Sequence, residues 1–167
     1  MQINHPAIIV LTCLVALSGC GKSSQEKAME QAIEYSSGGK AQVDLTGNQV
    51  EISTDEGKIN VASGKGVTVP DGFPKDIYLH DGAKVMTAMT MPQGQMLTLE
   101  TADPADKVAD AYRTAMSAAG WKQEMAMDSG TGKMFSYSKD KQQAQVTIDG
   151  DSDSARTTIT IIASTGE

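Results

Sequence analysis

Residues 101–121 read TADPADKVADAYRTAMSAAGW, the best-signalled helix in this chain, and the fold is read outward from it. Asp103 is placed to cap the N-terminus and Pro104 to open the first turn. An Asp oxygen accepts from free N–H groups there, and proline lacks the N–H that a first turn leaves unpaired. Asp106 adds negative charge where the helix dipole is positive. Val108, Ala111, Tyr112, Ala115, Met116 and Ala119 recur at helical spacing and form one apolar stripe. Gly120 ends the run, because the position after a helix favours left-handed backbone that glycine adopts cheaply.

On both sides the apolar period changes to two. Downstream, 121–127, 133–139, 144–149 and 157–163 read as strands. Upstream, 84–91 and 96–100 are strands joined across Pro92-Gln93-Gly94, and Ile77-Tyr78-Leu79 reads as a short strand before the Asp81-Gly82 turn. Strands flanking a single helix define an α+β fold, an antiparallel sheet with one packed helix in a ββαββββ-like order.

Further upstream, apolar pairs recur at i, i+2: Val43/Leu45, Val50/Ile52, Ile59/Val61 and Val67/Val69. Turn residues separate them at Gly47-Asn48, Asp55-Glu56-Gly57 and Gly64-Lys65-Gly66. This is the pattern of a short β-meander with one buried face. Pro70-Asp71-Gly72-Phe73-Pro74 breaks the pattern, so the main boundary is expected there. Residues 25–35, QEKAMEQAIEY, read as a three-turn helix with Ala28, Met29, Ala32 and Ile33 on one side and Glu26, Glu30 and Glu34 on the other. Alone it is marginal in water, so docking on the domain, or a loosely ordered stalk, is expected. The expected divisions are 1–19, 20–40 as tether and short helix, 41–69 as meander and 70–164 as the α+β domain.

The N-terminus supplies an address. Residues 7–17, AIIVLTCLVAL, are uncharged and almost wholly apolar. That is short of the roughly 20 residues a membrane span needs and suits the h-region of a signal peptide. Leu17-Ser18-Gly19-Cys20 follows and resembles the lipobox of bacterial lipoproteins. The resemblance implies that the Cys20 thiol becomes a thioether to diacylglycerol and that 1–19 are removed. It also implies that the new amino terminus takes a palmitate-type acyl chain. Cys13 would leave with the signal, and no free thiol would remain for a disulfide, zinc or nucleophilic role. Two or more acyl chains make a stable anchor to the membrane without a span. Gly21, rather than Asp, after the cysteine resembles the outer-membrane sorting class, so a Gram-negative host would carry the chain on its outer membrane, facing the periplasm. Residues 1–6 contain no Lys or Arg, a departure from the usual positive n-region that a start further upstream would repair.

Composition narrows the partners. The net charge is −7, and residues 1–19 contribute none of it. That balance argues against nucleic acid, which requires a basic face. Arg113 and Arg156 are the only arginines, too few for a dedicated phosphate site.

Phe73-Pro74-Lys75-Asp76-Ile77, Asp81-Gly82-Ala83-Lys84-Val85, Thr101-x-Asp103, Val108, Tyr112 and Gly120-Trp121 together resemble a module of uncharacterised bacterial lipoproteins and secreted proteins. The likeness covers most of the chain after Cys20. It implies turns, caps and core aromatics, and brings no activity with it.

Three groups have chemistry to weigh. Met86, Met89, Met91 and Met96 are dense, and thioethers suit Cu(I), yet alternation puts Met89 and Met91 with Val85 and Met86 on the other face. Core filling is the expectation for these and for Met125 and Met127, with a periplasmic or extracytoplasmic Cu(I) binder as the alternative function. Asp149, Asp151 and Asp153 alternate, but Ser154 and Thr160 stand where a calcium loop needs Gly and Glu, so an acidic hairpin loop is expected. His80 beside Asp81 reads as an exposed turn histidine, with a hydrolase role as the remote alternative. No nucleotide-binding or nucleophile-elbow motif is present. The expectation is a non-enzymatic, lipid-anchored envelope protein without cofactor or bound metal. Its one site is Cys20, and its partners are the membrane and another envelope protein.

Overall fold

The computed structural model describes residues 27–28, 30–32, 34, 41–55, 57–130, 132–151 and 155–165. Cys20 and the signal region lie outside them. The described residues between 27 and 34 are helical. Among the described residues nine strands follow: β1 (Ala41–Thr46), β2 (Gln49–Thr54), β3 (Gly57–Ser63), β4 (Lys84–Met91), β5 (Gly94–Thr101), β6 (Lys122–Asp128), β7 (Gly132–Lys139), β8 (Gln142–Asp151) and β9 (Arg156–Thr165). Helix α1 (Ala105–Ala118) lies between β5 and β6.

All nine strands form one sheet in the order β1-β2-β3-β4-β5-β9-β8-β7-β6, and every neighbouring pair is antiparallel. The class is therefore α+β, with ββαββββ from β4 onward as expected. The sheet is larger than the sequence suggests, because β3 pairs with β4 from Asn60↔Thr90 to Ser63↔Thr87 and carries the meander into it.

Two expected strands are absent. Val67 and Val69 lie in an irregular strap, 64–83, that leaves the sheet where Gly64 N donates to Met86 O. Gly64 and Gly66 hold positive φ there, which breaks the extended backbone a strand requires. Ile77-Tyr78-Leu79 belongs to the same strap, whose backbone bonds are local turns such as Ile77 N to Pro74 O. Phe73 and Ile77 nonetheless reach the core from it.

Helix α1 begins one residue later than expected. Pro104 is its N-cap, with no side-chain cap bond, and Asp103 is spent elsewhere. Its C-terminus matches the expectation. Gly120 has φ +83°, Gly120 N donates to Ser117 O and Trp121 N to Met116 O, the two bonds of a Schellman motif. Val108, Ala109, Tyr112 and Met116 are its buried residues. They pack on Leu97, Leu99, Phe135, Tyr137, Val146, Ile148, Ile159 and Ile161. Each fully buried side chain of that size contributes about 1.5–3 kcal/mol, so this face of the sheet is the stabilising one.

Ion pairs fasten the helix layer. Lys133 is buried on β7, and its ammonium meets Asp128 and, at 3.0 Å, Asp106 in the first turn of α1. Asp128 first, then Asp106, hold that amine above its ordinary pKa. Lys139 binds Asp76 at 2.6 Å and the helix-terminal Ala119 O at 2.9 Å.

Candidate functional site

His80 departs from its sequence reading: it is buried, only 7 % exposed. The strap carries it under the start of α1, where its Nε2 lies 2.8 Å from Asp103 Oδ2. A carboxylate only accepts, so Nε2 holds the proton, and Nδ1 faces the Tyr78 hydroxyl at 3.5 Å. Asp103 also takes Lys107 Nζ at 2.8 Å, and Lys107 first, then His80, keep its carboxyl below the ordinary range. Its backbone is fixed as well, since Asp103 N donates to Thr101 Oγ1 and Asp103 O accepts from Thr157 Oγ1. Tyr78 stacks edge-on against Tyr112 at 5.1 Å. The family-like residues thus meet in space: Thr101-x-Asp103 anchors His80, and Trp121 Nε1 donates to Asp76 O of the Phe73-Pro74-x-Asp76 stretch. Both ring nitrogens of His80 are engaged, so the arrangement is a strut joining strap, helix and sheet. The signal in the sequence was Thr101-x-Asp103, read as a helix cap rather than as a partner for the histidine.

The methionines also depart from their reading. Seven lie in the sheet, Met86, Met89, Met91, Met96, Met125, Met127 and Met134, and none is buried. Met116 of α1 is the one methionine in the core among the described residues. The physical cause is a β-bulge between Val85 and Thr87. It sets Val85 opposite Leu99 on the core side, while Met89 pairs with Met96 on the other face. A second irregularity between Gln123 and Met125 acts likewise in β6, where Met127 pairs with Met134.

The face opposite α1 is consequently a distinct surface. Following the register from β4 to β6, it carries Thr87, Met89, Met91, Met96, Thr98, Ile162, Thr160, Gln145, Thr147, Ser136, Met134, Met127 and Met125. No charged residue stands among these, in a chain that is 21% charged. Glu100, Asp149 and Lys122 lie at its rim. Val61, Val50 and Leu45 extend the same side across β3, β2 and β1. Ile162, Met125 and Met127 are exposed, and most of the rest are half-buried.

On the helix side of β1–β4, under the strap, lies a cleft of about 490 Å³. Asp44, Asn48, Glu51, Asn60, Lys65 and Thr90 give it a polar lining, and Lys58 at 2.7 Å from Glu51 offsets one of its acids. At the sheet edge Glu30 accepts from Leu45 N at 2.6 Å and Glu34 from Val43 N at 3.4 Å. The short helix therefore meets β1 through its acidic side, while Ala28 and Ala32 of the expected apolar stripe are exposed. The acidic loop is described only at Asp149, Gly150, Asp151 and Ala155; Ser152, Asp153 and Ser154 lie outside the described residues. Among the described residues no three His, Cys, Asp or Glu side chains cluster as a metal site.

With this geometry in place, comparison with known proteins adds one match. A family described as START domain-like matches residues 83–156, from the start of β4 to the start of β9 and less than half of the 167 residues. No curated protein matches the chain, and no solved structure does.

Proposed function

We propose that the chain is an extracytoplasmic lipoprotein, held to a membrane by lipid on Cys20, and that its domain is a non-enzymatic binding module for another envelope component. The observation that carries this reading is the uncharged sheet face opposite α1, paired with an address sequence at Leu17-Ser18-Gly19-Cys20. The opposite side of the sheet spends its side chains on a core. This side spends Met, Ile, Thr, Ser and Gln on solvent, and methionine adapts its shape to whatever it meets. Surfaces of this kind suit association.

The tether supports the same reading. Seven residue steps separate Cys20 from Lys27, which at about 3.3–3.6 Å each can reach at most roughly 25 Å. The bonds from Glu30 and Glu34 to β1 would then keep that end of the sheet near the bilayer. In a Gram-negative host the domain would face the periplasm from the outer membrane. A non-enzymatic role fits His80, whose ring nitrogens are occupied by Asp103 and Tyr78.

Fractionation tests the anchor: Cys20→Ala should move the protein from the membrane to the soluble fraction, and membrane retention of that variant would sink the lipoprotein reading. In-cell photo-crosslinking tests the module. A probe at Thr160 on the uncharged face should capture a discrete partner, while a probe at Asp110 on the solvent side of α1 should not.

A further inference from the structure

The six open-face methionines are not scattered. Met89 and Met91 stand two residues apart on β4, with Met96 of β5 directly opposite Met89. Met125 and Met127 stand two residues apart on β6, with Met134 of β7 directly opposite Met127. Three thioethers therefore meet at a corner twice, once on each of two hairpins, with the opposed pair one step back from the turn in the first and next to it in the second. In each, a small residue faces the remaining methionine, Gly94 across from Met91 and Ser136 across from Met125, which leaves space beside the sulfur.

Opposed residues in an antiparallel pair have Cβ atoms about 4.5–5.5 Å apart, and residues two apart on one strand are about 7 Å apart. Three flexible, unbranched side chains at those separations can bring their sulfurs to one point. None of the six is locked in the core, and Met134 Sδ already accepts Gln145 Nε2 at 3.2 Å on this face. Thioethers are soft and uncharged, so they select a soft, weakly hydrated cation over zinc, calcium or magnesium. No histidine or thiolate stands beside either triad, and no carboxylate stands beside the first; Asp149 lines the same hollow as Met127 and Met134 at the second.

We infer that each triad, Met89/Met91/Met96 and Met125/Met127/Met134, is a binding site for a soft monovalent cation of the Cu(I) class. Each site holds the ion through three thioether sulfurs, with no change of oxidation state. The inference does not depend on lipid anchoring, and binding at both triads would leave the Thr160 and Ile162 centre of the face free.

Silver(I), a redox-stable member of the same class, tests it directly. The full chain is labelled with carbon-13 at the methionine methyls, and its thiols are capped with N-ethylmaleimide so that thioethers are the only soft donors. Titration should shift the methyls of Met89, Met91, Met96, Met125, Met127 and Met134, with saturation at two silver ions per chain. The buried Met116 methyl should stay in place and serves as the internal reference. Met96→Leu should lower the stoichiometry from two to one by silencing the first group, and Met134→Leu should silence the second; the double variant should bind none. Leucine keeps the volume, and an unchanged thermal melt of each variant shows that the fold is retained. Non-saturating shifts like those of free methionine would overturn the inference. So would a stoichiometry that survives both substitutions, or an equal response to zinc.

Discussion

The two faces of the sheet are made from the same strands and differ in kind. Under α1 the strands contribute Leu97, Leu99, Phe135, Tyr137, Val146, Ile148, Ile159 and Ile161, all close to fully buried. On the reverse they contribute mostly methionine, threonine, serine and glutamine, with the exposed Ile162 among them, none fully covered. Branched and aromatic side chains have defined rotamers and specify one packing, whereas methionine fits many surroundings. One face therefore holds the fold and the other is left to be used. The difference teaches that methionine here marks the working side rather than the core.

Mutation can break that comparison, beginning with the largest effect. Phe135→Ala, on the helix side beneath Arg113, removes a side chain that is 1 % exposed and should cost about 3–5 kcal/mol in a denaturant titration. A loss under 1 kcal/mol would mean that this face is not the core. Asp103→Ala leaves the buried His80 Nε2 without its acceptor and should cost about 1–3 kcal/mol. Because the folded state lowers the Asp103 pKa from 3.8, its contribution is present above that value and fades as pH falls further. The variant and the parent should thus converge in melting temperature toward acid pH.

Tyr137 sharpens the contrast at the alkaline end. Its hydroxyl is buried and makes no hydrogen bond among the described residues, and burial pushes the phenol up from 10.0 to about 12. A raised folded pKa means that stability is level below pH 10 and declines as pH rises from 10 toward 12. Tyr137→Phe should match the parent within about 1 kcal/mol at neutral pH and lose less between pH 10 and 12. Smallest of all is Met127→Thr on the open face, which should change unfolding free energy by no more than about 0.5 kcal/mol. A cost near that of Phe135→Ala would erase the distinction between the faces.

Much of this was legible along the chain, and the limits have physical causes. Helix α1 and strands β4 to β9 follow from periodicity and from Gly120, because those signals are local. The joining of β1–β3 to the main sheet was not legible, since β3 and β4 pair across a strap of some twenty residues and no local pattern records that. His80 beside Asp81-Gly82 looks like a turn residue, and its partner Asp103 lies 23 positions away. The triads of methionine were invisible for a different reason. Strict alternation sends Met89 to the side of Val85, and one unpaired residue reverses that assignment.

That reversal occurs twice, and it makes the side-chain alternation of these strands a matter of phase. Val85 and Trp121 each point to the core, an irregularity follows at Met86 and at Glu124, and from there the methionines point outward. Each bulge acts as a half-period delay inserted between an anchor and a working segment. Regular pairing of the same residues, with Met86 or Glu124 taken into the alternation, would put anchor and methionines back in step, because Val85 and Met89, like Trp121 and Met125, stand four residues apart. Either Val85 or Trp121 would then have to leave the core, or the methionines would have to enter it. The two faces thus owe their separate identities to single unpaired residues.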